Sequence, residues 1–298
     1  MAEAIPFVRG MTFEYGTIAA VSPLIRRVVA RNPGAFTFHG TGTYIIGKGE
    51  VAVIDPGPDL PAHVDAILEG LRGERVSHIV ITHTHLDHSP AARPLKAATG
   101  APTYGFGPHG GDGRGPQVEE GGDYGFIPDH VLRDGDRVHG KGWTLEAIHT
   151  PGHTSNHLCF ALAEENALFS GDHVMGWSTT VVSPPDGNMH DYMASLAKLE
   201  ARAETPFWPT HGPPIPEPKR FVRALAGHRR ARETQIAECL QAGIDTIPAM
   251  VAAMYKDVPR ELHAAAAHTV LAHLIHMVET GRARSEEPPH AAARYSLA

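Results

Sequence analysis

Four potential metal ligands within six residues constrain this chain more than any other feature of its sequence. They are His83, His85, Asp87 and His88, and they follow an apolar run of strand length, 77–82. Alternate residues of an extended segment point the same way, and imidazole with carboxylate is a donor set that suits zinc. The cluster predicts a metal site at the end of a buried strand. The alternative is a surface cluster in a chain with 21 histidines.

Three shorter motifs extend this prediction. They are Thr150-Pro-Gly-His153, Ser170-Gly-Asp172 and Pro209-Thr-His211-Gly212. Each follows a strand-like segment and places a histidine or a carboxylate next to a glycine or proline. One such motif can be an ordinary turn, but ligands at the ends of several strands are typical of a rigid site.

The first two thirds of the chain alternate between strand-like and helix-like segments. The predicted strands cover 43–47, 51–55, 77–82, 143–148, 157–162, 167–170 and 206–209, and the predicted helices cover 61–71, 90–99 and 191–203. The glycine-rich segment 105–123 has no periodic pattern, which predicts a loop. This order of elements predicts an α/β fold in which helices cover packed sheets.

The character of the sequence changes after a proline-rich stretch at 213–218. Three helical patterns follow, at about 218–241, 246–256 and 258–280, and a strand-like tail lies at 293–297. Three helices and a hairpin-like tail are typical of a winged helix. We therefore predict a catalytic domain at 1–216 and a small winged-helix-like domain at 217–298.

The cysteine content, the first residues and the net charge limit the cellular compartment and the binding partners that we expect. Cys159 and Cys239 lie far apart and form no CxxC pair, so no disulfide framework is indicated. The start of the chain has no secretory pattern, and no apolar run is long enough to span a bilayer, so we expect a cytoplasmic protein without a membrane partner. The net charge is −7, and it is uneven: the first 216 residues have 15 Lys+Arg against 24 Asp+Glu, about −9, which disfavours a polyanionic partner there.

The motifs, in their order along 40–215, resemble those of the metallo-β-lactamase superfamily. The resemblance implies an αββα sandwich and two Zn²⁺ ions per chain, with Mn²⁺ or Fe as alternatives. One ion would be bound by His83, His85 and His153, a second by Asp87, His88 and His211, and Asp172 would bridge both. Asp55, in Ile54-Asp-Pro-Gly57, would support the ligands from behind. The chain departs from the family where Ser89-Pro90 replaces a frequent Gly-Gly pair, which affects the geometry of this turn only.

These ligands imply a hydrolase that needs no serine or cysteine nucleophile. Two metal ions about 3.5–4 Å apart can share a water and lower its pKa, so that a metal-bridging hydroxide attacks the substrate. Asp87 is the expected catalytic residue, since it can orient this water or accept its proton.

Two substrate classes follow from the resemblance and stay open. The segments 170–182 and 191–196, with the tail, resemble the β-lactamase-like protein 2 subfamily, which implies an endoribonuclease that acts on single-stranded RNA. A run of six basic residues in 219–232 could bind phosphates, although it reads equally well as a solvated helix face. The alternative is a thioesterase or lactonase of the glyoxalase II type, with a small ester or thioester as substrate.

Two further functions receive less support from the sequence. A β-lactamase is disfavoured because no secretory signal is seen. A non-enzymatic winged-helix binding protein is disfavoured because the third tail helix offers mainly alanine, leucine and histidine rather than base-reading arginine and asparagine. We expect the tail to pack against the catalytic domain or to form a homo-oligomer contact.

Overall fold

The computed structural model describes residues 3–111 and 119–298. In this part of the chain the strands are β1 Ala19–Ala20, β2 Ile25–Val29, β3 Gly42–Lys48, β4 Glu50–Ile54, β5 Arg75–Val80, β6 Thr103–Gly105, β7 His130–Val131, β8 Arg137–Gly140, β9 Trp143–His149, β10 Leu158–Leu162, β11 Ala167–Gly171, β12 Phe207–Pro209, β13 Ala283–Ser285 and β14 Tyr295–Leu297. The helices are α1 Pro61–Gly70, α2 Ala92–Thr99, α3 Met189–Glu200, α4 Pro218–Gln241, α5 Ile247–Met254 and α6 His263–Glu279. None of these helices is both long and apolar enough to cross a membrane.

Two sheets pack face to face through a shared apolar core. The first sheet has the order β1-β2-β3-β4-β5-β6-β7, and the second has the order β12-β11-β10-β9-β8. Large buried side chains such as Tyr44, Trp143, Phe160 and Phe169 fill the space between them. Helices α1 and α2 contribute to the core on the outer face of the first sheet, and α3 and α4 to that on the second. The predicted αββα sandwich is therefore confirmed.

The strand directions explain why the predicted ligands can meet. Strands β4 and β5 are parallel neighbours in the first sheet. In the second sheet β9 and β11 are each antiparallel to β10, and β12 is parallel to β11, so these three strands run the same way. Since parallel strands end at the same edge of a sheet, the loops that follow them gather at one end of the sandwich.

The sequence patterns found the long buried strands and missed shorter ones. Strand β2 was missed because Arg26 and Arg27 interrupt its apolar pattern. In the structure Arg27 is buried, and its Nη1 donates a hydrogen bond to the carbonyl oxygen of Gly212 at 3.2 Å.

The predicted loop 105–123 is described only in part, because 112–118 lie outside the described residues. The last residues of this loop lie beside the segment 83–88, which carries four of the predicted ligands. There the Asp123 amide donates a hydrogen bond to the carbonyl oxygen of Thr84 at 2.7 Å.

The C-terminal segment forms three helices and a hairpin, β13–β14, as the sequence predicted. Helix α4 contributes to two separate cores. Phe221, Val222 and Leu225 pack in the core under the second sheet. Ile236 and Leu240, nearer the end of the helix, pack with α5, α6 and the hairpin. The boundary at 216/217 stays a prediction, because α4 joins the two parts.

Candidate metal centre

The structure brings all seven predicted ligands together at the end of the sandwich. His83, His85, Asp87 and His88 follow β5, His153 follows β9, Asp172 follows β11 and His211 follows β12. Every one of them is wholly or largely buried. Residues far apart in the chain thus form one polar cluster inside an apolar fold.

Two glycines set the course of the chain at this cluster. Gly152 and Gly171 both have positive φ values, 135° and 51°. A side chain at Gly152 would collide with the backbone of Tyr192, and one at Gly171 would lie 2.5 Å from His157 Nε2. Only glycine fits both the conformation and the space. The Pro-Gly-His and Gly-Asp motifs therefore position His153 and Asp172.

Three histidines form the first donor group. His85 Nδ1 lies 3.1 Å from His83 Nε2 and 3.2 Å from His153 Nε2. Ligands of a tetrahedral ion with bonds of about 2.0–2.1 Å are separated by about 3.3 Å. The three nitrogens are therefore spaced as the ligands of a single metal ion would be.

Asp87, His88 and His211 form the second donor group, and Asp172 lies beside it. Asp87 Oδ2 is 3.0 Å from His211 Nε2 and 3.4 Å from His88 Nε2. Asp172 Oδ2 lies 3.4 Å from His211 Nε2, 3.5 Å from His88 Nε2 and 4.0 Å from His153 Nε2. This carboxylate is thus close to histidines of both groups, as a bridging ligand must be.

The donor set fits metal ions on two further observations. His88 Nε2 and Asp172 Oδ1 are buried and have no hydrogen-bond partner among the described residues. Buried polar atoms are normally partnered, so these two atoms are left for another ligand. The cluster of histidines and aspartates is therefore suited to bind metal ions.

Asp55 connects the ligands from behind. It is fully buried, and its carboxylate accepts hydrogen bonds from the amide and the hydroxyl of Thr82, at 2.8 and 2.7 Å, and from the hydroxyl of Thr210 at 3.0 Å. It also lies 2.9 Å from His88 Nδ1. One carboxylate thus holds His88 and the first residues of the two ligand loops after β5 and β12 in place. This agrees with the supporting role implied by the resemblance.

Other contacts orient the remaining imidazoles. His153 Nδ1 bonds to the carbonyl oxygen of Val181 at 2.8 Å, and His211 Nδ1 to that of Gly40 at 3.2 Å. With Nδ1 donating to a carbonyl, Nε2 is the nitrogen free for a metal. His157, next to the ligand motifs, accepts a hydrogen bond from the Asp172 amide at 3.2 Å.

The electrostatics divide the cluster into two parts. Burial, with the neighbouring histidines, lowers the pKa of His83 and His85 well below the usual value, so both are neutral. Burial also lowers the pKa of His88, but Asp87, Asp172 and Asp55 outweigh it and raise this pKa well above the usual value. The second donor group therefore stabilises positive charge.

Glu119 is a neighbour of the centre that the sequence did not reveal. Its Oε2 lies 3.8 Å from His153 Nδ1. Burial, followed by the charges of Asp172 and Asp87, raises the pKa of Glu119 well above its usual value. No motif marks this residue. By contrast, the sequence did contain a signal for Thr82 and Thr210, which donate hydrogen bonds to Asp55, because each of them directly precedes a ligand histidine.

A cavity adjoins the cluster between the sandwich and the C-terminal helices. Its volume is about 260 Å³, close to the lower end of small-molecule sites. Glu119 and Val181 line it beside His153, while Arg229 and Arg232 of α4 and Leu262 line it from the C-terminal segment. The C-terminal helices thus form one wall of a pocket that reaches the metal cluster through Glu119 and Val181, the two lining residues next to His153.

Part of the basic run in α4 is engaged in contacts within the chain. Arg220 pairs with Glu3 and Glu217, at 2.8 and 3.4 Å, and Arg223 pairs with Glu200 at 3.3 Å. Arg229 donates to the carbonyl oxygen of Thr180. The run therefore does not form one continuous face open to phosphates.

Comparison with known families matches two regions of the chain. The Metallo-beta-lactamase superfamily model matches residues 37–207. The model of the Beta-lactamase associated winged helix domain matches residues 246–295, which confirms the predicted winged helix.

Curated relatives and solved structures extend over most of the chain. An atrochrysone carboxyl ACP thioesterase of Paecilomyces divaricatus is 37% identical over 76% of this chain and 66% of its own. This chain thus spans slightly less than two thirds of that relative. A beta-lactamase-like protein 2 homolog of Caenorhabditis elegans is 34% identical over 75% of this chain and 73% of its own. A beta-lactamase domain protein of Burkholderia ambifaria has the same fold, with a TM-score of 0.79 and 21% identity over 97% of this chain and 95% of that one.

Proposed function

The chain belongs to the metallo-beta-lactamase superfamily and is a hydrolase of that class, and from this premise we propose that it hydrolyses acyl thioesters. The cavity beside the metal centre carries the proposal. It is partly enclosed and has apolar side chains such as Met175, Val258 and Leu262 in its wall. A pocket of this size with a mainly apolar wall suits an acyl group better than a nucleotide chain. The thioesterase named among the relatives supports the same class.

We assign the seven clustered residues as ligands of two Zn²⁺ ions. Bound metal would polarise the thioester carbonyl and activate the attacking water. Asp87 would accept the proton of the attacking water, and the hydroxyl of Thr41 donates to its Oδ2 at 3.4 Å.

Cleavage of single-stranded RNA is the second candidate function. It is favoured by the similarity to the beta-lactamase-like protein 2 homolog of C. elegans. Two observations favour the thioester. Single-strand binding needs a basic groove with stacking platforms, whereas Arg220 and Arg223 are paired with acidic residues. The net charge of −7 also repels a polyanion.

The test is metal content together with a substrate panel. The protein, Asp87→Ala and the control Asp65→Ala, an exposed position on α1, are assayed with Zn²⁺, Mn²⁺ or Fe²⁺ on acyl thioesters, a lactone, a β-lactam and single-stranded RNA. We expect about two metal equivalents in the wild type. Thioester turnover should fall about 10²–10⁴-fold in Asp87→Ala and be retained in Asp65→Ala.

Other outcomes of the panel decide against the proposal. Asp87-dependent cleavage of RNA without thioester turnover would assign the protein to the nucleases. Hydrolysis of the lactone or β-lactam alone would keep the hydrolase class and reject the thioester.

A further inference from the structure

Four buried nitrogens around the cavity have no hydrogen-bond partner among the described residues. They are Trp177 Nε1, His228 Nδ1, Arg229 Nε and Arg232 Nε. The tryptophan and arginine nitrogens can only donate hydrogen bonds. Buried donors are normally partnered, and the side chains that carry these donors line one cavity, which suits a ligand that supplies acceptor atoms.

Arg229 is the most unusual of these side chains, because it is a buried cation that forms no ion pair with any side chain that the structure describes. It is 2% exposed. Its guanidinium donates to the carbonyl oxygen of Thr180 and lies 5.0 Å from the ring centroid of Tyr192. No carboxylate of 3–111, 119–260 or 262–298 forms an ion pair with it within 4.0 Å. Buried charges in proteins are normally paired, so a bound anion would complete this site.

Arg232 adds a second positive charge to the same wall. Its guanidinium lies 4.4 Å over the ring of Tyr255, and its Nη1 donates to the side chain of Gln235 at 2.8 Å. It likewise forms no ion pair within the described part of the chain. Glu119 supplies the one carboxylate among the described lining residues, and it lies beside His153. The cavity is therefore cationic along α4.

We propose that the preferred acyl group carries a second carboxylate, which Arg229 and Arg232 bind while the thioester carbonyl lies at the metal centre. This assignment rests on the thioesterase function proposed above. Arginine binds carboxylates through paired, charge-assisted hydrogen bonds. The apolar part of the wall accommodates the methylene groups between the two ends. The substrate class is thus a dicarboxylic monothioester.

A phosphate of coenzyme A or of a carrier's pantetheine arm could also supply an anion. The substrates that separate the two sources are thioesters of N-acetylcysteamine, which has no phosphate. Glutaryl and valeryl thioesters have the same five-carbon chain and differ in the terminal carboxylate. The same two acyl groups are then compared as coenzyme A thioesters.

The variant to be tested is Arg232→Gln. Arg229 is left unchanged because it also donates a hydrogen bond to Thr180, next to Val181, whose carbonyl oxygen orients His153. The control is Arg230→Gln, an exposed position on the same helix. We expect kcat/KM to be at least about tenfold higher for glutaryl than for valeryl N-acetylcysteamine. Arg232→Gln should bring this ratio down towards one, because a charged hydrogen bond usually contributes a factor of about 10–100, and Arg230→Gln should leave the ratio unchanged.

Binding of glutarate and valerate, measured by calorimetry, gives a readout that needs no turnover. Glutarate should bind more tightly than valerate to the wild type, and this difference should become much smaller in Arg232→Gln, where Arg229 alone remains. If glutarate binds in this arginine-dependent way while no thioester is cleaved, the anion site stands and the proposed reaction is wrong.

Two results would overturn the inference. One is equal kcat/KM for both N-acetylcysteamine thioesters in a protein that cleaves them, since the acyl carboxylate would then go unrecognised. The other is a loss of kcat/KM in Arg232→Gln that occurs only with coenzyme A thioesters and is equal for both acyl groups. The two arginines would then bind a phosphate of coenzyme A rather than the acyl carboxylate.

Discussion

At the scale of single residues, Asp55 shows how a side chain that touches no substrate can control the metal centre. It joins Thr82, His88 and Thr210, which belong to loops after β5 and β12. Its negative charge also helps to raise the pKa of His88 against the lowering effect of burial, although Asp87 and Asp172 raise this pKa more strongly. Both its geometry and its charge should therefore affect metal affinity.

Asp55→Asn should weaken metal binding about 10–100-fold, the range seen when a group behind the ligands is changed. Asparagine keeps the volume but loses the charge and one acceptor oxygen. Competition with a chelator measures the affinity. The control is Asp59→Asn, an exposed position in the same loop. Equal metal affinity in Asp55→Asn and the wild type would show that Asp55 serves the fold alone.

At the scale of elements, α4 is held against α6 by a buried polar cluster. Glu233 Oε1 lies 3.2 Å from His273 Nδ1 and 2.8 Å from His276 Nδ1, and its Oε2 accepts from Arg282 at 2.5 Å. Burial raises the pKa of Glu233, but the hydrogen bonds of these three residues outweigh it and lower the pKa to about 2. The ionised carboxylate is thus stabilised in the folded state.

Glu233→Gln should lower the free energy of unfolding by about 2 kcal/mol at pH 7, or the Tm by about 4–8 °C. Because the pKa in the folded state lies below the usual 4.5, this stability is complete above about pH 4.5 and is lost as the pH falls towards 2. The Tm difference from the wild type should shrink over that window. Thermal unfolding at several pH values measures it, with the exposed Glu238→Gln as control. A constant difference would contradict this linkage.

At the scale of the whole molecule, the sandwich and the winged helix share one element. The first half of α4 covers the second sheet through Phe221, Val222 and Leu225. Its second half packs with α5 and α6 through Ile236 and Leu240. The C-terminal segment therefore both completes the fold of the sandwich and forms one wall of the cavity.

Truncation tests this shared role and the predicted domain boundary. Removal of 218–298 should expose the core under the second sheet and abolish cooperative unfolding and metal binding. Removal of 242–298 should retain both, because α4 stays in place. Thermal unfolding and metal content of the two truncated chains measure the effect. If the chain 1–217 unfolds cooperatively and binds metal, the boundary at 216/217 separates independent domains.

Much of the fold could be predicted because its signals are local. Continuous apolar runs marked β5, β10 and β11, and a periodic pattern placed α4 correctly at 218–241. Short or charged strands such as β2 and β8 could not be found this way, because their burial depends on neighbours that are distant in the chain.

The sequence by itself determined the seven candidate ligands, since each depends on residue type and on spacing within a strand and the turn after it. Only the tertiary structure decided what surrounds them. Thr210 reaches Asp55 across 155 residues, and Arg229 reaches Thr180 across 49. Such contacts exist because sheets and helices must bury their apolar faces together, and no local pattern encodes which polar groups this packing brings into one cavity.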